Sequence, residues 1–160
     1  MIHWIFDLDN TLYRFIDIQN QDLKKIAIDT QLPEIIRLLP GNKLIFTNAN
    51  QYHSINMISK LKMYNCFNAI LNRDLLQGIK PNPMVYFKLI QWCKIQNNDK
   101  VIFFEDTPEN LMVAKQFGWI TILITDKNPE NIKENYIDMC FKDTKTAIQT
   151  IIRRVLFKRK

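Results

Sequence analysis

The chain is 160 residues long, which suits one domain with a sizeable buried core rather than two. Hydrophobic residues at 47% and charged residues at 24% exclude a disordered chain, and no apolar run reaches the roughly 18–20 residues that span a bilayer. Net charge is +6, partly gathered in the basic C-terminal stretch, and three glycines are too few for a glycine-rich dinucleotide or Walker-type loop.

The apolar run Ile2–Phe6 predicts a first strand and ends in Asp7-Leu8-Asp9. It lacks the positive region of a signal peptide, and Cys66, Cys93 and Cys140 show neither even pairing nor zinc-type spacing. A cytoplasmic protein with reduced, metal-free thiols is therefore expected. Residues 14–30 read as a flap or minimal cap with a short helix over 22–28. Leu32, Ile35, Ile36, Leu38 and Leu39 have helical spacing and predict a helix over 31–39, closed by Pro40-Gly41. A second run over 43–47 ends in Asn48-Ala49-Asn50. A helix over 51–64, a strand over 68–72 and a helix over 82–96 come next, the last opening at Pro83, where the first turn tolerates proline. A third buried run, 101–104, ends in Glu105-Asp106. The helix predicted over 108–117 stops at Gly118, and then come a run over 120–125, a short helix over 129–135 and an edge strand over 138–141.

The last segment, 143–160, reads as a basic amphipathic helix. Ala147, Ile148, Ile151, Ile152, Val155 and Leu156 recur at helical spacing, with Asp143 and Thr144 placed to cap it. Its cations complement the helix dipole, and the competing reading is a nucleic-acid-binding tail. Runs alternating with helices of this length predict an α/β fold: one Rossmann-like domain over 1–160, a parallel sheet flanked by helices.

Each polar cluster lies just past the C-terminal end of an apolar run: Asp7 and Asp9, Thr47 and Asn48, Glu105 and Asp106. In an open parallel sheet that edge forms the ligand crevice. Several carboxylates at one point repel one another and any anion unless a hard divalent cation with oxygen ligands joins them. Lys80, between Ile79 and the Pro81-Asn82-Pro83 loop, supplies a compact positive charge for a phosphoryl group. The pattern suits phosphate-ester hydrolysis, in which the protein contributes chiefly positioning and electrostatics.

Phe6-Asp7-Leu8-Asp9-Asn10-Thr11-Leu12-Tyr13 resembles the first motif, DxDxT, of the haloacid dehalogenase (HAD) superfamily. Thr47-Asn48 resembles its second motif, Lys80 its third, and Glu105-Asp106 with Asn110 its acidic fourth, in order, across about residues 2–125. Within it, the segments DLDNTLY, IFTNANQYHSINMISKLKMYNCF, KPNPMVYFKLI and VIFFEDTPENLMVAKQFGWITILIT are similar to the pyrimidine 5′-nucleotidase-like branch. The resemblance implies an HAD-type phosphatase in which Asp7 is the nucleophile that forms an aspartyl-phosphate and Asp9 is general acid, then base. It implies Mg²⁺ held by the Asp7 carboxylate, the Asp9 backbone carbonyl and Asp106, with Glu105 reaching it through water. Thr47 and the Asn48 backbone N–H would grip the phosphate, Lys80 would stabilise its charge, and Thr11 and Asn110 would steady their neighbours.

The departure from that branch lies between motifs one and two. Its helical cap occupies many tens of residues, whereas here only 14–42 are available and part of that is a helix. The expectation is a capless or minimally capped phosphatase whose substrate is a phosphorylated small molecule or a nucleotide. There are two alternatives. One is a macromolecular substrate, either a polynucleotide end reached with the basic C-terminal helix or a phosphoprotein. The other is a non-catalytic binding module of the same fold. A second copy of the chain would be another way to cover an open site. His3 and His53 read as structural, Phe87, Trp92, Phe103, Phe104 and Trp119 as core, and Tyr13 as packing or substrate contact.

Overall fold

The computed structural model describes residues 1–16 and 25–157. Six strands form one sheet in the order β5-β4-β1-β6-β7-β8: Ala69–Leu71, Asn42–Phe46, Ile2–Phe6, Lys100–Glu105, Ile120–Ile124 and Met139–Phe141. All five pairings are parallel. Seven further segments complete the main frame: β2 (Arg14–Ile16), β3 (Lys25–Ala27), α1 (Leu32–Arg37), α2 (Gln51–Lys60), α3 (Arg73–Leu76), α4 (Pro83–Cys93) and α5 (Pro108–Gln116). A 3-10 turn at Pro129–Asn131 and α6 (Thr144–Phe157) end the chain. The expected α/β sheet flanked by helices is what forms.

Helices cover both faces of the sheet, which is why the strands read as continuous apolar runs rather than alternating ones. Successive residues of β1 enter different cores. Trp4 and Phe6 pack with Ile45, Ile58, Phe104, Ile122 and Ile148, while Ile5 packs with Phe46, Tyr86, Phe103, Leu111 and Trp119. Phe6 stacks on Phe104 with centroids 4.7 Å apart, fixing β1 against β6 through side chains as well as the ladder. Before β4 the chain runs close to β1 at Gly41, whose φ of +86° and contact with the Ile2 carbonyl leave no space for a Cβ.

Element ends reflect local chemistry. Asn50, Asn72 and Asn82 each cap a helix by accepting backbone N–H groups. Lys94 ends α4 in the left-handed region at φ +53°, so this helix stops short of the predicted 96. Lys62, at φ +56°, lies beyond the end of α2, which also stops before the predicted 64. The short α3 has no counterpart among the predicted elements, because four residues carry too little periodicity to register.

Corrections fall in two places. The helix predicted over 22–28 is contradicted at Lys25–Ala27, which pairs antiparallel with Arg14–Ile16 as a ribbon, while 22–24 lie outside the described residues. Arg14 ties the ribbon to the sheet edge through hydrogen bonds to Asp126 and the Lys142 carbonyl. The helix predicted over 129–135 is only a 3-10 turn. Phe87 and Trp92, expected in the core, lie on the exposed side of α4 at 47% and 55% accessibility, whereas Phe103, Phe104 and Trp119 are buried. The C-terminal segment is helical through Phe157, with Ala147, Ile148 and Ile151 buried; residues 158–160 of the basic tail lie outside the described residues. Among the described residues no helix is long and apolar enough to cross a membrane.

Candidate active site

Strand order places the site. After β1 the chain builds β4 and β5 on one side, then crosses to build β6, β7 and β8 on the other. The crevice of such a sheet opens at the C-terminal ends where this reversal occurs. Asp7 lies there, one residue past β1, its backbone N–H still donating to the Phe104 carbonyl at 2.9 Å. The nucleophile candidate is thus fixed by the ladder itself. Leu8 is buried behind it, and Asn10 adopts a left-handed φ of +59°, a conformation that Asn accepts more readily than most residues. Beyond this turn Asp9 is partly exposed while Asp7 is buried, and both line the same crevice. Thr11 Oγ1 lies 3.4 Å from Asp7 Oδ2 as a long hydrogen-bond donor, and the Thr11 carbonyl accepts from Thr144 at the start of α6 at 2.7 Å.

The second motif sits at the end of β4. Thr47 is buried, donates its N–H to the Leu71 carbonyl at 3.0 Å, and accepts the Ala49 N–H on Oγ1 at 3.1 Å. The Asn48 side chain clasps the Lys80 backbone in both directions, accepting its N–H at 2.7 Å and donating to its carbonyl at 3.0 Å. Lys80 then reaches inward, fully buried, with Nζ 2.7 Å from each of Asp7 Oδ1, Glu105 Oε2 and the Phe46 carbonyl. The Phe46 and Phe103 rings flank the ammonium at 4.9 and 5.3 Å.

Glu105 ends β6 with both oxygens engaged. Oε2 accepts from Lys80 and from Asn110 Nδ2 at 2.9 Å, and Oε1 accepts the N–H groups of Asp106 and Thr107 at 3.0 and 3.1 Å. Asn110 is in turn placed by Tyr86, whose hydroxyl donates to its carbonyl at 2.8 Å. Carboxylate oxygens of Asp7, Glu105 and Asp106 all lie within 4.8 Å of one another.

Four carboxylates and one ammonium meet at this edge. Burial, then the negative charge of Glu105, pushes Asp7 up to about 7, with Lys80 only partly offsetting them. Burial, then the hydrogen bond and charge of Glu105 and the charge of Asp7, pushes Asp106 up to about 8. Burial acts to lower the Lys80 pKa, but the charges of Asp7 and Glu105 outweigh it and hold the ammonium protonated. The excess charge must be met by protons or by a cation. An all-oxygen donor set of this kind fits a hard divalent ion.

His53, read from the sequence as structural, stands beside the Asp7–Asp9 loop. Asn50 caps α2 by accepting the His53 N–H at 2.8 Å, which sets His53 in the first helical turn, directly after the Thr47–Asn48 loop. Its Nε2 stands 2.7 Å from Asp9 Oδ1, and the Tyr13 hydroxyl donates to that same oxygen. Burial, then the Asp9 hydrogen bond, raises the Tyr13 pKa and keeps the phenol protonated. The signal was the short distance in sequence from the strand end to His53. His3 lies at the opposite end of β1, buried against Asp99 and Asn42, outside the site.

The crevice over Asp7, Thr47, Lys80 and Asp106 has a volume of about 210 Å³. A neighbouring groove of about 250 Å³ shares Asn10 and Asp106 with it and is bordered by Arg14, Phe15 and Asp126. Each is smaller than the roughly 300–1,000 Å³ of a pocket that engulfs an organic ligand. A groove of about 540 Å³ lies along residues 27–32 and Asp143–Lys145 and contains none of these carboxylates.

Residues 41–124 match the family model for haloacid dehalogenase-like hydrolases, more than half of the chain and including Thr47, Asn48, Lys80, Glu105, Asp106 and Asn110. The chain belongs to that hydrolase family. Solved HAD structures share its fold. A Thermotoga maritima protein proposed to be a beta-phosphoglucomutase superposes with a TM-score of 0.73 at 14% identity, covering 97% of this chain and all of its own. The L-2-haloacid dehalogenase of Xanthobacter autotrophicus gives 0.64 at 14% identity over 76% of this chain and 60% of its own, and a second dehalogenase gives 0.65 at 18% over 79% and 57%. This HAD chain thus spans under two thirds of the length of the two dehalogenases, and at these identities the likeness is one of fold.

Proposed function

We propose that this HAD hydrolase is a Mg²⁺-dependent phosphatase that transfers the phosphoryl group of a phosphate monoester to Asp7 and then to water. The observation that carries the reading is the pairing of a buried, lysine-held Asp7 with a second carboxylate, Asp9, on the same loop. An Asp7 oxygen bonds to phosphorus while the bond to the leaving oxygen breaks, and Asp9 gives that oxygen a proton. Asp9 then takes a proton from the water that attacks phosphorus as the Asp7–phosphorus bond breaks. Lys80 offsets charge on Asp7 and the phosphoryl oxygens, and Thr47 with the Asn48 N–H binds those oxygens. Asp7, the Asp9 carbonyl and Asp106 would hold Mg²⁺, with Glu105, already committed to Lys80 and Asn110, reaching it only through water. The ion supplies neutralisation of the substrate dianion.

Dehalogenation, the activity named for two neighbours, fits this residue set less well. A halide leaves as an anion and needs no proton, so Asp9 would have no task, and carboxylates crowded round Asp7 disfavour a carboxylate substrate. The small crevice, and the few residues between Tyr13 and Lys43, favour a site that grips the phosphate and little of the remainder. A phosphorylated small molecule or nucleotide is the substrate class proposed, with a polynucleotide end or phosphoprotein as the reading that an uncapped site favours.

The test is turnover of p-nitrophenyl phosphate with Mg²⁺ and with EDTA. Activity lost in EDTA and in Asp7→Asn is the expected result; undiminished turnover in Asp7→Asn overturns the mechanism. Screening sugar phosphates, nucleotides, oligonucleotide ends and phosphopeptides then separates the substrate classes.

A further inference from the structure

Asp9 is the acid–base group of the phosphatase reaction, and the role inferred for the residues around it rests on that reading. The protein treats its two carboxylate oxygens differently. The Tyr13 hydroxyl donates to Oδ1, and His53 Nε2 stands 2.7 Å from that same oxygen. Among the described residues Oδ2 has no hydrogen-bond partner. The Tyr13 hydroxyl and the His53 ring nitrogen come from separate elements. Tyr13, in the loop after β1, is buried and packs edge-to-face with Phe15 at 5.2 Å. His53 stands on the first turn of α2, fixed there by the Asn50 cap.

We propose that His53, together with Tyr13, is a positioning residue that assigns the acid–base proton of Asp9 to Oδ2. The reason is hydrogen-bond stoichiometry. With the His53 ring hydrogen on Nε2, Oδ1 accepts two donors and has no place for a hydrogen of its own, so a protonated Asp9 carries it on Oδ2. In the first half-reaction that hydrogen passes to the leaving oxygen as its bond to phosphorus breaks. In the second, the same Oδ2 takes a hydrogen from water as the water oxygen bonds to phosphorus. Two anchors on Oδ1 stop the carboxyl group from rotating between the steps, so one oxygen serves both. A packing role for His53 is poorly supported, since its side chain is 40% exposed.

The positioning role predicts a dependence on the leaving group. An alkoxide needs a proton to depart, whereas p-nitrophenolate departs with little help. His53→Ala is expected to lower kcat/KM on a simple alkyl phosphate about tenfold more than on p-nitrophenyl phosphate, within the range general-acid catalysis contributes. His53→Gln, whose amide nitrogen reaches the place of Nε2, is expected to bring the ratio of the two values back to within about threefold of wild type. If His53→Ala does not fold, Tyr13→Phe, which removes only the hydroxyl, carries the same comparison. Equal losses on both esters, or no loss on either, overturn the positioning role while leaving the phosphatase reading intact. Wild-type protein that turns over neither ester overturns the phosphatase reading, and this role with it.

Discussion

Lys80 shows how one side chain sets the character of the crevice. It is buried and touches Asp7, Glu105 and a main-chain carbonyl at once. Its removal strands two carboxylates in a low-dielectric pocket. Lys80→Met is expected to destabilise the fold at pH 8 by about 3–5 kcal/mol, as for a broken buried ion pair, and by less at pH 5.5, where the carboxylates take up protons. Denaturant titration at both pH values measures this, and a loss that does not vary with pH would contradict it. Asn48 acts on Lys80 from behind. Asn48→Ala removes two hydrogen bonds to the Lys80 backbone, worth about 1 kcal/mol each, and is expected to lower kcat on p-nitrophenyl phosphate more than it raises KM.

Helix α6 closes the face of the sheet beneath the Asp7 loop. Asp143 caps its first turn, accepting the Thr146 N–H at 2.7 Å, and Thr144 binds the Thr11 carbonyl. Loss of the cap in Asp143→Ala is expected to cost about 1 kcal/mol. Ile148 is fully buried in the core beneath, and Ile148→Ala is expected to cost about 2–5 kcal/mol. Thermal or denaturant melts measure both, and an α6 that contributed nothing to the fold would leave both variants at wild-type stability. The ribbon of β2 and β3 is tied to the sheet edge by the contacts of Arg14 with Asp126 and the Lys142 carbonyl, and it borders the neighbouring groove rather than the crevice itself.

Across the whole molecule, the concentration of carboxylates makes stability depend on pH and would couple it to a bound cation. Asp7 and Asp106, ordinarily near 3.8, are pushed up to about 7 and about 8. Over the window from about pH 4 to 8, the folded state therefore keeps protons that the unfolded chain has released. The contribution is complete below the unfolded value and is lost as pH rises through the folded values. Metal-free protein is thus expected to melt at a lower temperature at pH 8 than at pH 5.5. A divalent cation held there would replace those protons, so millimolar Mg²⁺ should raise Tm clearly at pH 8 and little at pH 5.5. Scanning calorimetry with EDTA and with Mg²⁺ tests this, and a Tm gain larger at pH 5.5 than at pH 8 would reverse the sign.

Strand positions were legible because the central strands β1, β4, β6 and β7 are largely buried and read as mainly apolar runs; the polar residues after Phe6, Phe46 and Phe104 marked the crevice for the same reason. Asp7, Thr47, Lys80 and Glu105, which meet at this crevice, were named from their strand-end placement and from the resemblance of their order to the HAD motifs. The ribbon at Arg14–Ile16 and Lys25–Ala27 was not legible, since strands of three residues are too short to show a period. Nor were the exposed Phe87 and Trp92, whose hydrophobicity does not say which way α4 turns. The half-buried carboxylate of Asp9, and the ring that meets it from His53, were decided only by tertiary structure. A left-handed turn at Asn10 and the docking of α2 bring together residues 44 positions apart, and no local pattern encodes a contact between two elements.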